Sequence, residues 1–83
     1  MYQQTNDKIK LYSSDTDLQS YLAKYYLESK GIIFKEINVN LNPRVFEELK
    51  KKLGSDELPV VEVSGNCIIG FDKNKIDEAL KWV

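Results

Sequence analysis

Few residues in this chain of 83 could carry chemistry. It has one cysteine, Cys67, and no histidine. A single cysteine excludes a disulfide within the chain. The lack of histidine removes the commonest general base and the commonest metal ligand. Hydrolases of the Ser-His-Asp or Cys-His type are therefore excluded, and so are zinc sites built from cysteine and histidine.

The segment "TDLQS" opens a predicted helix and contains the next candidate group. Thr16 and Gln19 fit a capping box, in which the Thr16 hydroxyl accepts from the N–H of Gln19 and the Gln19 side chain returns to the N–H of Thr16. Asp17 would then occupy the first helical position, where the helix dipole favours a carboxylate by roughly 0.3–1 kcal/mol. A negative charge is therefore expected at the start of this helix.

Hydrophobic periodicity predicts the elements that position these groups. Strands are expected at 8–13, 32–39, 59–64 and 66–71, and helices at about 17–30, 43–53 and 73–81. This β-α-β-α-β-β-α order predicts a four-stranded mixed sheet with helices on its faces. Its first two strands should be parallel, and its last two should form a hairpin around Ser64-Gly65.

The apolar residues at helical spacing are expected to face the core. In the first helix these are Leu18, Leu22, Tyr25 or Tyr26, and Leu27; in the second, Val45, Phe46, Leu49 and Leu53; in the third, Ile76, Ala79 and Leu80. Tyr21, Tyr25 and Tyr26 are more typical of packing than of a ligand cage. Asp72 is expected to cap the third helix.

Composition indicates one ordinary globular domain over 1–83, with a polar and loose N-terminus at 1–7. Twelve basic and thirteen acidic residues give a net charge of −1, which offers no broad basic surface for nucleic acid. No apolar run approaches the roughly 18 residues of a membrane span, and the polar start does not fit a signal peptide. A cytoplasmic location without membrane contact is expected.

Over about residues 8–81 the chain resembles glutaredoxins and NrdH-type redoxins. The resemblance is carried by Tyr12 at the end of the first strand and by the segments "SKGI", "NVNLNP", "LPVVEV" and "GFD", in order and at compatible spacing. It implies the small thioredoxin-like (glutaredoxin) α/β fold.

In the family that this chain resembles, a redox Cys-x-x-Cys motif starts the first helix. The same register here places Asp17 at the first cysteine and Ser20 at the second, so that "DLQS" replaces the motif. Ser14 replaces a lysine that often precedes it. A carboxylate and a hydroxyl cannot form a disulfide or exchange one, because the thiolate is the reactive species. No catalytic residue and no dithiol-disulfide activity are therefore expected at these positions.

The resemblance also implies a groove for a peptide or a thiol-bearing partner. Its expected residues are Ser14, Asp17, Ser20, Leu58, Pro59, Gly70, Phe71 and Asp72. The Leu58–Pro59 bond is expected to be cis, and the loop from Gly70 to Asp72 corresponds to the family's site for a glutathione carboxylate. An alternative is that Asp72 only caps a helix and Phe71 only packs in the core. Glutathione should bind weakly if at all, since Asp17 would repel it; no other cofactor and no metal are expected.

Three functions remain open at this point. The first is a non-catalytic protein linked to redox homeostasis that binds an unknown protein or thiol peptide. The second is a thiol oxidoreductase that works through Cys67 or through a partner's thiol, although Asn66 and Ile68 give no reason for a lowered pKa of Cys67; a small buried side chain is the commoner role. The third is a structural module that dimerises through its sheet edge. A monomer or a weak homodimer is expected.

Overall fold

A computed structural model describes residues 8–81 of the chain. Its elements are β1 (Ile9–Ser13), α1 (Leu18–Ser29), β2 (Lys35–Asn38), α2 (Pro43–Leu53), β3 (Val60–Val63), β4 (Asn66–Ile69) and α3 (Lys73–Leu80). The predicted order of strands and helices is confirmed. The segment 1–7, predicted to be loose, lies outside the described residues.

The four strands form one mixed sheet in the order β2-β1-β3-β4. β1 runs parallel to β2 and antiparallel to β3, and β3 and β4 form the predicted hairpin. Its turn residues Ser64 and Gly65 have φ angles of 50° and 89°, as a two-residue turn between twisted strands requires.

Helices cover both faces of the sheet. On one face α1 and α3 pack on the strands in a core of Ile9, Leu11, Ala23, Leu27, Val61, Val63, Ile68 and Ile76. On the other face α2 packs on a smaller cluster of Tyr12, Val39, Leu49 and Val60. The predicted inner residues of α2 and α3 all belong to or pack against these clusters, so those two helix faces are confirmed.

The predicted apolar face of α1 is confirmed at Tyr26 and Leu27, which pack in or against the core, and is wrong at Leu18 and Leu22. Leu18, Leu22 and Tyr25 are 71%, 42% and 67% exposed. Ser20 and Ala23, which were not predicted, join Leu27 on the buried side of the helix. Hydrogen bonds at the start of the helix hold Ser20 on this inner side, and in that orientation Leu18, Leu22 and Tyr25 face solvent.

Element ends agree with the predictions within a few residues. α1 ends at Ser29 and is followed by Gly31 with a φ of 71°, and Gly54 ends α2 with a φ of 67°. β2 is shorter than expected. Asn42 does precede α2, but its side chain donates to the carbonyl of Asn38 rather than capping the helix. Among residues 8–81 no helix is long and apolar enough to cross a bilayer.

Candidate functional site

The candidate site lies at the end of the sheet where β1 leads into α1. Tyr12 faces Val60 across β1 and β3, and Val60 faces Ile69 across β3 and β4. Continuing this register by one residue places Ser13, Pro59 and Gly70 in a row, and the N–H of Gly70 donates to the carbonyl of Pro59 at 2.7 Å. The three loops that carry the predicted groove residues therefore meet at one end of the sheet. The Leu58–Pro59 bond is cis, which confirms that prediction.

Asp17, and not Thr16, is the N-cap of α1. Its carboxylate accepts from the N–H of Gln19 at 3.4 Å and from the hydroxyl of Ser20 at 2.9 Å. The predicted capping box of Thr16 and Gln19 is therefore wrong, and Asp17 precedes the first helical position instead of occupying it. Thr16 contributes to the loop, where its hydroxyl lies 3.2 Å from the hydroxyl of Ser14.

Asn38 and Asn40, which were not predicted as site residues, fix the loop that leads into α1. The side-chain oxygen of Asn40 accepts from the N–H of Asp15 at 2.8 Å and from the hydroxyl of Ser14 at 3.0 Å. The side-chain amide of Asn38 donates to the carboxylate of Asp15 at 2.6 Å. These bonds tie the β1–α1 loop to the end of β2. The asparagines of "NVNLNP" were the available signal, since Asn favours such local hydrogen bonds.

The hydroxyl of Ser20 connects the loop to the helix. It donates to Asp17 at 2.9 Å and accepts from the backbone N–H of Ser14 at 3.1 Å, and Ser20 is only 2% exposed. A buried hydroxyl is tolerated when it is hydrogen-bonded in this way. The positions aligned above with the two redox cysteines are thus joined by an Asp17–Ser20 hydrogen bond.

The same arrangement leaves the backbone of Leu58 without a partner. In the β1–β3 register, Ser14 and Leu58 would form the next hydrogen-bonded pair. The N–H of Ser14 instead donates to Ser20, and its carbonyl accepts from the N–H of Asp17 at 3.3 Å. Within residues 8–81, no protein group pairs with the N–H or the carbonyl of Leu58. An extended chain could form those bonds.

The site is acidic. Asp15, Asp17, Glu57 and Asp72 take part in none of the ion pairs formed among residues 8–81. The carboxylate of Glu57 packs beside Gly70, where an added Cβ would lie 2.9 Å from it. A small polar pocket opens next to Asp17; it is lined by Ser13, Ser14, Asp15, Asp17, Ser20, Tyr21, Lys24 and Glu36. No three Cys, Asp or Glu side chains of the described chain are grouped so that they could hold a metal ion.

Phe71 and Asp72 anchor α3. Phe71 packs on the core and meets the ring of Tyr26 edge-on, with 5.9 Å between the ring centres. The carboxylate of Asp72 accepts from the N–H of Lys75 at 3.1 Å, so the predicted cap of α3 is confirmed. Among the predicted groove residues, hydrogen bonds link Ser14, Asp17 and Ser20 to one another. Within residues 8–81 none joins these three to Leu58, Pro59, Gly70, Phe71 or Asp72.

Cys67 lies outside this site. It faces Glu62, three rows along the sheet from Pro59 and Gly70, which corresponds to about 10 Å. Its half-buried side chain packs against the smaller core cluster. Burial raises the pKa of the Cys67 thiol, Lys52 opposes this shift and Glu62 adds to it. A protonated thiol is a poor nucleophile, so the surroundings of Cys67 do not favour thiol exchange.

Comparison with known proteins identifies the family. Residues 9–68 match the family model described as Glutaredoxin. The chain belongs to the glutaredoxin family. It is also 36% identical over 73 residues to a Clostridium pasteurianum protein named "uncharacterized glutaredoxin-like 8.6 kDa protein in rubredoxin operon", a match that covers 88% of this chain and 97% of the relative.

Solved structures of glutaredoxin-like proteins share its fold. NrdH-redoxin from Escherichia coli is 30% identical and superposes with a TM-score of 0.77 over 84% of this chain and 91% of its own. The glutaredoxin of Archaeoglobus fulgidus superposes with a TM-score of 0.81 at 20% identity, over 90% of this chain and 87% of its own. The expected fold is therefore confirmed. This glutaredoxin has a single cysteine, which argues against dithiol-disulfide exchange.

Proposed function

We propose that this glutaredoxin binds extended peptide segments of a redox partner and does not exchange disulfides with them. The observation that carries the proposal is the Asp17–Ser20 hydrogen bond at the start of α1, next to a strand end where the Leu58 backbone has no partner within residues 8–81. The first feature replaces the reactive pair, and the second offers a place for an extended chain.

Asp17 gives the site a charge that resembles that of a reduced redoxin. In the family, the start of this helix stabilises a thiolate, and here the same helix end carries a carboxylate as its N-cap. A partner that recognises the reduced form would meet a negative charge at the same place. No covalent step could follow, because a carboxylate hydrogen-bonded to Ser20 does not attack a disulfide.

Leu58 supplies the main-chain part of the recognition. An extended peptide that pairs with its N–H and carbonyl would continue the β1–β3 ladder in place of Ser14. Such pairing depends little on side chains, so it suits a segment around a cysteine of the partner. The Clostridium relative is named for its place in a rubredoxin operon, and this supports a redox partner.

Glutathione fits the site poorly. Its two carboxylates would enter a region that already contains Asp17, Glu57 and Asp72, none of them paired with a cation within residues 8–81. The N–H of Gly70 is also occupied by the carbonyl of Pro59. At about 4–6 Å, like charges near a protein surface repel by a few kcal/mol, so millimolar binding or none is expected. Asp17→Asn should tighten it, most clearly at low salt.

NMR titration tests the proposed binding. The probe is a short, uncharged, end-capped peptide with one S-methylated cysteine, which cannot react. The amide of Leu58 should shift and exchange its proton more slowly. The amide of Ser64 at the other end of β3, which already donates to the carbonyl of Lys8 at 2.8 Å, is the internal control. An unchanged Leu58 amide, or shifts centred on Cys67, would show that the binding site is wrong.

A further inference from the structure

The outer face of α1 presents a continuous apolar stripe. Leu18, Tyr21, Leu22 and Tyr25 are 71%, 65%, 42% and 67% exposed. Their spacing of three and four residues places them on one side of the helix, and we call them the α1 stripe. The rings of Tyr21 and Tyr25 stack with 6.4 Å between their centres and 12° between their planes. Two aromatic faces on one exposed helix side are typical of binding surfaces.

The size of the α1 stripe suits a single partner segment. At these exposures the side chains present roughly 500 Å², which lies within the range of the largest and often functional patch on a monomer. A stable dimer needs about 800 Å² from each subunit. The α1 stripe alone is therefore smaller than the surface that each subunit of a stable dimer buries.

Carboxylates border the α1 stripe. Asp17 lies at its start and Glu28 on its flank, and neither takes part in an ion pair among residues 8–81. The two lysines nearby are already neutralised: Lys24 pairs with Glu36 at 3.2 Å and Lys30 with Asp77 at 3.4 Å. Within the described chain, both lysines beside the apolar surface are thus engaged in ion pairs, and Asp17 and Glu28 give its edge an acidic character.

The α1 stripe also continues into the candidate site. Tyr21 belongs to the stripe and lines the polar pocket together with Asp15 and Asp17. A partner that lies along α1 can therefore reach the pocket with one charged side chain.

We propose that the α1 stripe docks a basic amphipathic helix of the partner protein, apolar along one face and flanked by lysine or arginine. Two helices that pack side by side interdigitate residues at this spacing, and the partner's cations would face Asp17, Glu28 and the tyrosine rings. This inference names the class of partner and rests on the proposed binding function. A second copy of the chain fits less well, because antiparallel α1 stripes would bring Asp17 of one copy near Glu28 of the other.

The experiment uses the full chain and two model peptides. Both form amphipathic helices with leucine along one face; the other face carries lysine in the first and glutamate in the second. The lysine peptide should bind, shift the amides of α1 and lose affinity as salt rises, and the glutamate peptide should not bind. Tyr21→Ala combined with Tyr25→Ala should weaken the lysine peptide about tenfold, and Asp17→Asn about threefold.

Ile33→Ala is the matched control, since Ile33 is 60% exposed but lies outside the α1 stripe. It should change the affinity less than about twofold.

Equal binding of both peptides, no binding, or shifts away from α1 would overturn the inference. The inference would also be overturned if the wild-type chain sediments as a dimer and the variant with both tyrosines replaced sediments as a monomer. If any of these results appears while the Leu58 amide still shifts with the uncharged peptide, the docking of a helix is wrong and the proposed function stands. If the lysine peptide binds but the Leu58 amide does not shift with the uncharged peptide, the proposed peptide site at Leu58 is wrong and the docking of a helix stands.

Discussion

The two faces of α1 are both largely apolar, whereas a surface helix usually has one apolar and one polar face. The buried positions against the sheet are Ser20, Ala23 and Leu27, which are 2%, 0% and 0% exposed, and the partly buried Tyr26 packs beside them. The α1 stripe on the solvent face has two leucines and two tyrosines. The exposed leucines and tyrosines of the α1 stripe contribute little to the core of the protein, so their presence points to a role outside it. We expect that the bonds of Ser20 to Asp17 and Ser14 at the start of α1 help to set which side of the helix meets the sheet.

The sharpest test of this comparison replaces a leucine on each face. Leu27→Ala should cost about 2–5 kcal/mol of unfolding free energy, because it opens a cavity in a fully buried cluster. Leu22→Ala on the same helix should cost less than about 1 kcal/mol, since that side chain is 42% exposed. Urea unfolding of both variants measures the difference. Equal losses would mean that α1 is rotated from the orientation described.

Replacing Ser20 tests whether hydrogen bonds hold the inner face. Ser20→Ala removes the acceptor of the Ser14 N–H and the donor to Asp17, so a loss of about 1–3 kcal/mol is expected. Ser29→Ala is the control, because its hydroxyl bonds the carbonyl of Tyr26 at an exposed position; it should stay within about 0.5 kcal/mol. If both serines cost the same, Ser20 does not orient the helix.

The helix cap should give a smaller effect. Asp17→Ala should cost about 0.5–2 kcal/mol, because Asp17 is the N-cap. Thr16→Ala should cost less than about 0.5 kcal/mol, since Thr16 only contacts Ser14 in the exposed loop. Thermal unfolding of the two variants compares them. A larger loss for Thr16→Ala would restore the capping box that the sequence suggested.

The contact between Tyr26 of α1 and Asp77 of α3 should give the smallest effect, which is a change in the pH dependence of stability. The hydrogen bond from Tyr26 to Asp77 raises the pKa of Tyr26 and lowers the pKa of Asp77. A lowered carboxyl pKa stabilises the fold above the ordinary value near 4, and that stability is lost as the pH falls below it. Between about pH 5 and pH 2, melting temperature should therefore fall less steeply in Tyr26→Phe than in the wild type. Parallel curves would show that this bond does not couple α1 to α3.

Most of the fold could be predicted because its signals are local. Alternating apolar residues, Pro43 at the start of α2, the glycines that end α1 and α2, and the Ser64-Gly65 turn each act over a few residues. α1 was the exception. Its exposed leucines and tyrosines have the same periodicity as a buried face, and periodicity alone does not say which side meets the sheet.

The site could be predicted only in part. The replacement of both redox cysteines is visible in the sequence, and the register places the β1–α1, Leu58-Pro59 and Gly70 loops at one end of the sheet. Asn38 and Asn40 were missed because their bonds to the loop span 23 to 26 residues of sequence. Within residues 8–81 the backbone of Leu58 is unpaired because the backbone of Ser14 bonds to Ser20 and Asp17 instead, and this has no signature in the sequence.

The central claim is that the site binds without exchanging disulfides, and a disulfide-reduction assay tests it most directly. A glutathionylated peptide is the substrate, with reductant in excess, and wild type is compared with Cys67→Ser and with Asp17→Cys combined with Ser20→Cys. Wild type and Cys67→Ser should stay at the uncatalysed rate, and the double cysteine variant should exceed it, since the start of α1 still lowers a thiol pKa. Wild-type turnover above the uncatalysed rate, lost in Cys67→Ser, would contradict the account and assign the chemistry to Cys67.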